Sequence, residues 1–390
     1  MEMKVDLRIG SVSGAEETQF GRITALALDD DGSVYVGDGQ NYEVRKFDRN
    51  GQFLVSFAAR GEGPGEIGDL SGLAILEDRQ VAIVDRPRRR ISLFDSSAGE
   101  YLGQWETPNQ WLTSSRHLIA SRLGGGAYLG LAPQMSLDGT PVSWPRPVFV
   151  SVDAHGNLLD TIWAPERYVE QCGTRSSHAV RSGFFEDLRV RYAPKVVWTI
   201  SSLGELFIGC PKELRFDVIS EGRSVVSSET VPLEPVPIPA DEMTWFLSEI
   251  ESNRGLAEQL ARINAVETDP VRQLLRYDYP DSKAAYKTIT VAQDGRVWVQ
   301  LSQPSIESAA PDGSIYWQNQ MGGAFEVFGR SGAHIGRATL PADVWIDPDT
   351  PSGVAAVITN SHFWAVTLDS LSVQSVTRFT ISWPTGESGG

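Results

Sequence analysis

Three evenly spaced side chains, Arg175, His178 and Arg181, offer the most chemistry in this sequence. Two guanidinium forks flanking an imidazole can hold an anion or a carbonyl oxygen and exchange a proton with it near neutral pH. They lie in the stretch 164–194, which with Lys195 carries six basic residues against four acidic ones, although the whole chain has a formal charge of −16. A 31-residue excursion is longer than a connection between strands requires, and loops of that length are often functional. The competing reading is a surface loop with scattered charges. Trp111 and Trp245 are the other ligand-binding candidates, because an indole at the rim of a site presents a flat apolar face, though tryptophan equally fills cores.

The remaining motifs read as structure. GEGPGE, Gly61 to Glu66, lacks the Lys-Ser/Thr of a phosphate loop, and its two glutamates would repel phosphate. It is expected to be a tight crossover in which glycine supplies positive φ. Asp38 and Asp85 recur 47 residues apart, as do Asp48 and Asp95, and an acid at the end of a strand can accept hydrogen bonds from the amides of the next turn. Arg86, Arg88, Arg89 and Arg90 surround Pro87 and read as a solvated turn in an acidic chain.

The five histidines, His117, His155, His178, His334 and His362, are too scattered for a local metal motif. His155 and His334 lie in glycine turns and are expected to be solvated. No G-x-S-x-G occurs, so no serine nucleophile can be named. No cofactor is evident, and catalytic and metal residues stay unassigned. Ligands drawn from distant parts of the chain would leave no local motif, which keeps a divalent metal open. Cys172 and Cys210 allow either one disulfide or two separate thiols, and the sequence does not choose between them.

The elements that must position these residues repeat. Ala25 to Phe57 reads as strand, Asp/Gly turn, strand ending in Asp, hairpin, strand ending in Phe-Asp, Gly turn, strand, and Leu73 to Trp105 repeats that order with its landmarks 47 residues on. A four-stranded meander of this length is one blade of a β-propeller. Weaker copies start near His117, Lys195, Ile289 and Val354. Setting aside 106–116, 164–194 and 234–285 leaves room for six units in one domain spanning 1–390. The last unit is one strand short, and Lys4 to Gly10 is placed to supply it and so close the ring. Residues 241–276 are the exception: Met243, Phe246, Leu247 and Ile250 recur with helical spacing behind a capping Asp241, and Leu256, Leu260 and Ile263 extend the face. Asp269 and Pro270 mark a second helix start.

Composition sets the outer limits. Hydrophobic residues at 41% and 11 tryptophans supply a large core, while 37 glycines and 22 prolines suit some two dozen short strands joined by turns. The net negative charge argues against nucleic acid as a partner. No signal peptide and no long apolar run are visible, so no membrane span is expected, and a monomer is anticipated.

RIG near the start, DGSVYVGD, RGEGPGEI and DGRVWVQ together resemble the bacterial six-bladed β-propeller proteins related to NHL repeats. The resemblance implies an all-β, six-bladed fold and an exported protein, periplasmic or secreted, whose signal segment has been removed. It does not imply an activity. Two function classes follow. One is a rigid scaffold binding a small molecule, a glycan or a protein at the channel mouth. The other is a hydrolase or lyase, lactonase-like or metal-dependent, working in the central channel beneath the helices as a lid.

Overall fold

The structure is a computed structural model. It describes residues 1–106, 115–123, 125–131, 148–172, 192, 194–220, 224–252, 254–255, 278–310, 312–319, 322–342, 344–346, 356–369 and 373–383. The expected helical face at Leu256, Leu260 and Ile263 and the second start at Asp269 and Pro270 lie outside these residues.

The meander read from the sequence is present. Blade one is Ile23–Leu28, Val34–Asp38, Glu43–Phe47 and Phe53–Phe57, hydrogen-bonded in that order. Blade two is Gly72–Ile75, Gln80–Asp85, Arg90–Asp95 and Tyr101–Glu106. Blade three runs from Ser115–Ala120 through Ala127–Leu131 and Val148–Val152 to Leu158–Trp163, and blade four from Val197–Ile200 through Leu206–Gly209 and Asp217–Ile219 to Val225–Ser227. Blade five is Tyr286–Val291, Val297–Leu301, Gly323–Phe328 and His334–Leu340.

Blade six takes three strands from the end of the chain, Ala356–Ile358, His362–Leu368 and Gln374–Ser382, and its outer strand from the start, Glu2–Ile9. The chain is therefore a six-bladed β-propeller closed by its N-terminal strand. Closure covers the hydrogen-bonding edge that Gln374–Ser382 would otherwise expose.

Strand alternation explains how the blades stack. In Gln80–Asp85 the side chains of Val81 and Ile83 join a cluster shared with blade one, while Ala82 and Val84 join one shared with blade three. Successive residues on a strand face opposite ways, so a strand sandwiched between two blades is apolar on both faces. Six such clusters fill the six interfaces between neighbouring blades. Each fully buried aliphatic or aromatic side chain there contributes about 1.5–3 kcal/mol.

Asp38, Asp48 and Asp95 bind the turns that follow them, as their positions suggest, whereas Asp85 accepts the Gly68 amide of the crossover at 3.2 Å. Asp38 is fully buried and accepts the amides of Gly21 (2.8 Å), Arg22 (3.0 Å), Gln40 and Asn41 (both 3.2 Å). Asp48 accepts from Asn50 and Gln52, and Asp95 from Ser97 and Ala98. In GEGPGE the Glu66 carboxylate accepts the Gly63 amide at 2.7 Å, Gly65 takes φ +78°, and Ala59–Arg60 pairs in parallel with Glu66–Ile67.

Three expectations need correction. The arginines around Pro87 are not a solvated run: Arg86 pairs with Asp69 at 2.8 Å, and Arg90 is buried, donating to the Glu66 carbonyl at 2.6 Å and lying 3.5 Å from Asp85. They clamp the crossover, because a buried aspartate such as Asp85 needs nearby positive charge. His334 is not a solvated turn residue, since its Nε2 lies 2.7 Å from the buried carboxylate of Glu326. Asp241 is not an N-cap: the helix starts one residue earlier, at Ala240, because the Met243 amide already bonds the Pro239 carbonyl at 3.0 Å.

Candidate functional site at the roofed end of the channel

A cavity of about 1510 Å³ follows the propeller axis, walled by the innermost strands of all six blades. Those strands run in the same direction, so the turns that follow them gather at one end and the segments that precede them at the other. The turn end carries Asp29, Asp30 and Asp31, balanced by cations: Lys46 lies 3.7 Å from Asp29, Arg79 3.2 Å from Asp31 and Arg122 4.0 Å from Asp30. Tyr35 reaches Asp29 at 3.1 Å, and burial together with that carboxylate raises its phenol well above the usual range, so it stays neutral. This end reads as satisfied structure.

The opposite end is roofed. Three elements stand at this end, of which the second and third contribute residues to the cavity wall. The first, helix α1 (Glu166–Gln171), precedes Cys172, which is disulfide-bonded to Cys210 just beyond the second strand of blade four. The stretch 164–194 thus begins as a helix anchored covalently, not as an open loop. Tyr168 adds a hydrogen bond to Asp217, and burial with that bond pushes its phenol up to about 12. The second, helix α2 (Ala240–Ser252), buries Phe246 and Ile250 against Tyr192, with Met243, Trp245, Leu247 and Tyr279 packed around them. The third is a hairpin, Ser305–Ala309 with Ile315–Asn319, inserted between the second and third strands of blade five. The blade repeat does not predict it, although SIESA and IYWQN around Pro-Asp-Gly carry a turn signature.

These elements bring together four polar side chains. Residues 236–238 pair with 281–283 through the Ile238–Asp281 and Lys283–Val236 backbone bonds, which sets Lys283 beside the first turn of α2. Glu242, in that turn, is 2% exposed. Its Oε1 accepts from Ser305 Oγ at 2.7 Å and from the Tyr192 hydroxyl at 3.0 Å, and the Lys283 ammonium stands 3.9 Å away. Lys283 also bonds Ser305 Oγ. The second oxygen, Oε2, is buried and has no hydrogen-bond partner among the described residues. All four residues line the cavity, as do Lys195, Trp317, Gln318 and Asn319.

An ionised carboxylate removed from water costs several kcal/mol unless its lone pairs are satisfied. Oε1 is satisfied here and Oε2 is not. Oε2 has almost no accessible surface, so a donor brought into the cavity would reach it only if the side chains around it moved, while the neighbouring ammonium offsets the charge.

Of the candidates named from sequence, Arg175, His178, Arg181 and Trp111 lie outside the described residues. Trp245 sits half-buried in the apolar cluster under α2 and is not among the cavity-lining residues. Trp198 and Trp317 are the tryptophans in the wall. Among the described residues no group of three or more His, Cys, Asp or Glu could hold a metal ion, and no helix is long and apolar enough to cross a membrane.

Comparison with known proteins supports the fold. Residues 13–115 match a family model described as a 6-bladed beta-propeller. NHL repeat-containing protein 3 of Mus musculus is 28% identical over 97 residues, covering 24% of this chain, and that of Homo sapiens 29% identical over 90 residues, covering 22%. The matches span only 28% and 26% of those relatives' own lengths. A solved structure from the DUF4221 family of Bacteroides vulgatus superposes with a TM-score of 0.54 at 12% identity, covering 98% of each chain. A candidate exported protein of Bacteroides fragilis gives 0.51 at 11% identity, covering 98% of this chain and 96% of its own. At such identities these two structures speak to fold alone.

Proposed function

We propose that this NHL-like six-bladed propeller is a binding protein that takes its ligand into the central channel through the end roofed by α2 and the 305–319 hairpin. One observation carries the reading: a buried carboxylate in the cavity wall, Glu242, whose Oε2 has no partner among the described residues. The rigid ring fits the role. Its walls are set by interlocked blade interfaces, so little ordering entropy is lost on binding. The Cys172–Cys210 bridge supports placing the protein in an oxidising compartment, the exported setting that the family resemblance implies.

The test is thermal stabilisation against a panel of sugars, amino acids, nucleotides and fatty acids, with the wild type and Glu242→Gln in parallel. The amide keeps the shape and one acceptor but removes the charge. A compound that raises the Tm of the wild type and loses that effect in the variant supports the reading. Equal shifts in both proteins, or no shift with any compound, overturn it.

A second reading, hydrolysis at the same mouth, is favoured by Ser305, whose hydroxyl is hydrogen-bonded to both Lys283 and Glu242. A hydroxyl that donates to a carboxylate while accepting from an ammonium is the starting arrangement for a nucleophile, with Glu242 as the proton acceptor. Turnover of nitrophenyl esters that disappears in Ser305→Ala would select it; no turnover would reject it.

A further inference from the structure

Resting on the binding reading above, we infer that helix α2 is a gate over the roofed end of the channel, latched shut by the Glu242 carboxylate and opened when α2 swings away from Tyr192 and Ser305.

Helix α2 is attached to the ring by a neck. It belongs to the insertion between blades four and five, whose two legs are fastened to blade four: the Val231 amide donates to the Leu214 carbonyl at 3.2 Å and the Ala285 amide to the Pro211 carbonyl at 2.7 Å. Beyond these anchors the legs meet in the Ile238–Asp281 and Lys283–Val236 backbone bonds, of 2.9 and 2.8 Å, around one isolated bridge. Pro235, Pro237 and Pro239 stiffen the first leg, so α2 moves as a body about the neck. Its apolar face has a core of its own. Phe246 and Ile250 pack on Tyr192 with Met243, Trp245, Leu247 and Tyr279 around them, and none of these side chains belongs to the six clusters that fill the blade interfaces. Helix α2 can therefore leave without unpacking the ring, and elements with so small a separate core are the ones that open locally.

Glu242 is the joint between α2 and its surroundings. Its Oε1 accepts from Ser305 Oγ at 2.7 Å, on the hairpin of blade five, and from the Tyr192 hydroxyl at 3.0 Å, on the connection between blades three and four. Both partners stay behind when α2 lifts. Lys283, 3.9 Å from the carboxylate, sits in the neck and ties it to the same hairpin through Ser305 Oγ. The two carboxylate oxygens act in opposite directions. Oε1 holds α2 down through charge-assisted bonds, whereas Oε2 is shut away from water with no partner among the described residues and regains its hydration only on opening. Asp38, which accepts four backbone amides, is by contrast a carboxylate satisfied for permanent burial. Satisfaction of one oxygen alone makes a joint that can be released. Glu242, Tyr192 and Ser305 all line the cavity, so release opens the channel at that point. A ligand donor reaches Oε2 only in the open state, and binding there raises the population of open molecules.

The experiment is maleimide labelling of the full chain, which reads how often a buried thiol is bared. Ile250→Cys reports opening of α2, and Val84→Cys, in the interface between blades two and three, reports opening of the ring; both positions are buried, at 0% and 1% exposure. Each reporter is made with and without Ser305→Ala, with circular dichroism confirming the fold, and the two native cysteines are bridged and do not react. The thiol at position 250 is expected to label faster than that at 84. Ser305→Ala should accelerate labelling at 250 by about tenfold to a hundredfold, the range for losing a hydrogen bond to a charged group, and leave the rate at 84 unchanged. Met243→Cys, in the same cluster, should repeat the result and guards against a reporter that loosens α2 by itself. Equal rates at 250 and 84, acceleration at both, or no acceleration at either 250 or 243 overturns the gate. No ligand takes part, so that outcome leaves the binding reading standing, and a silent ligand panel leaves the gate standing.

Discussion

Asp6 and Arg378 stand 372 residues apart in sequence, yet the Arg378 Nε lies 3.0 Å from Asp6 Oδ1 across the strand pair that closes the ring. Beneath them, Met3 and Ile9 are buried, Met3 between blades five and six and Ile9 between blades six and one. The ion pair is partly exposed, and pairs of that kind contribute about 0–1 kcal/mol. The buried side chains decide whether the ring stays shut.

Met3→Ala and Ile9→Ala are therefore each expected to cost about 2–5 kcal/mol, and Asp6→Ala at most about 1 kcal/mol. Urea unfolding followed by tryptophan fluorescence measures both. An Asp6→Ala loss as large as that of Met3→Ala would mean that charge, not burial, holds the closing strand.

Ring closure should also respond to pH. His362 sits on the strand His362–Leu368, with Asp6 3.9 Å from its Nε2 and Ser361 Oγ 2.8 Å from Nδ1. Burial first, and then the Arg378 guanidinium, lowers its imidazole pKa below the ordinary 6.5, with Asp6 opposing. A folded pKa below the unfolded one means the unfolded chain binds the proton more readily. The stability concerned is complete above pH ~6.5 and is lost as pH falls through the lower folded pKa. The urea midpoint should drop between pH ~7.5 and ~5.5 and do so less in His362→Gln; parallel pH curves for the two proteins would count against this.

Below pH ~4 a second loss is expected. The carboxyls of Asp153 and Asp312 are held below their ordinary range by side-chain hydrogen bonds from Asn157 and Ser314, and that of Asp48 by the Gln52 amide. Their contribution is present above the unfolded carboxylate range and disappears as pH falls through the lower folded values. Asp153→Asn should flatten the acid limb of a Tm-versus-pH curve; an unchanged limb would assign acid sensitivity elsewhere.

The buried turn acid should matter more than the exposed ones. Asp38→Ala strands the amides of Gly21 and Arg22, whereas Asp48→Ala frees amides that water can reach. A loss of about 1.5–3 kcal/mol per charge-assisted bond is expected at Asp38 and a much smaller one at Asp48. Similar midpoints for the two variants would show that burial does not control the value of this repeated contact.

The disulfide should stabilise the anchor of α1. Cys172 and Cys210 are separated by 38 residues, and closing a loop of that length in the unfolded chain is worth about 4 kcal/mol in the chain-entropy picture. The double variant Cys172→Ser/Cys210→Ser is expected to unfold at lower urea, while thiol titration of the wild type should find no free thiol until reductant is added. Two titratable thiols in the untreated protein would dispose of the bridge.

The fold was legible because it rests on local repetition. The 47-residue spacing of Asp38 with Asp85 and of Phe47 with Phe94 is a property of the chain, as is the missing strand that Glu2–Ile9 supplies. Helix α2 was legible from the period of Phe246 and Ile250. The disulfide could not be decided, because two cysteines carry no information about the 5.5 Å that brings their Cα atoms together. The 305–319 hairpin carries its turn signal in Pro311-Asp312-Gly313, but it falls inside a blade, where the repeat assigns no extra strands.

The site was not legible, for a physical reason. Glu242 stands on a helix, Lys283 on a bridge before blade five, Ser305 on an inserted hairpin and Tyr192 on a connection between blades three and four; no spacing relates them. What the sequence alone determined is whatever depends on neighbours along the chain: turn aspartates, strand alternation, blade length and ring closure. Only the tertiary structure could decide which charged residues leave water. Desolvation of Glu242 is set by what the ring, α2 and the 305–319 hairpin place around it.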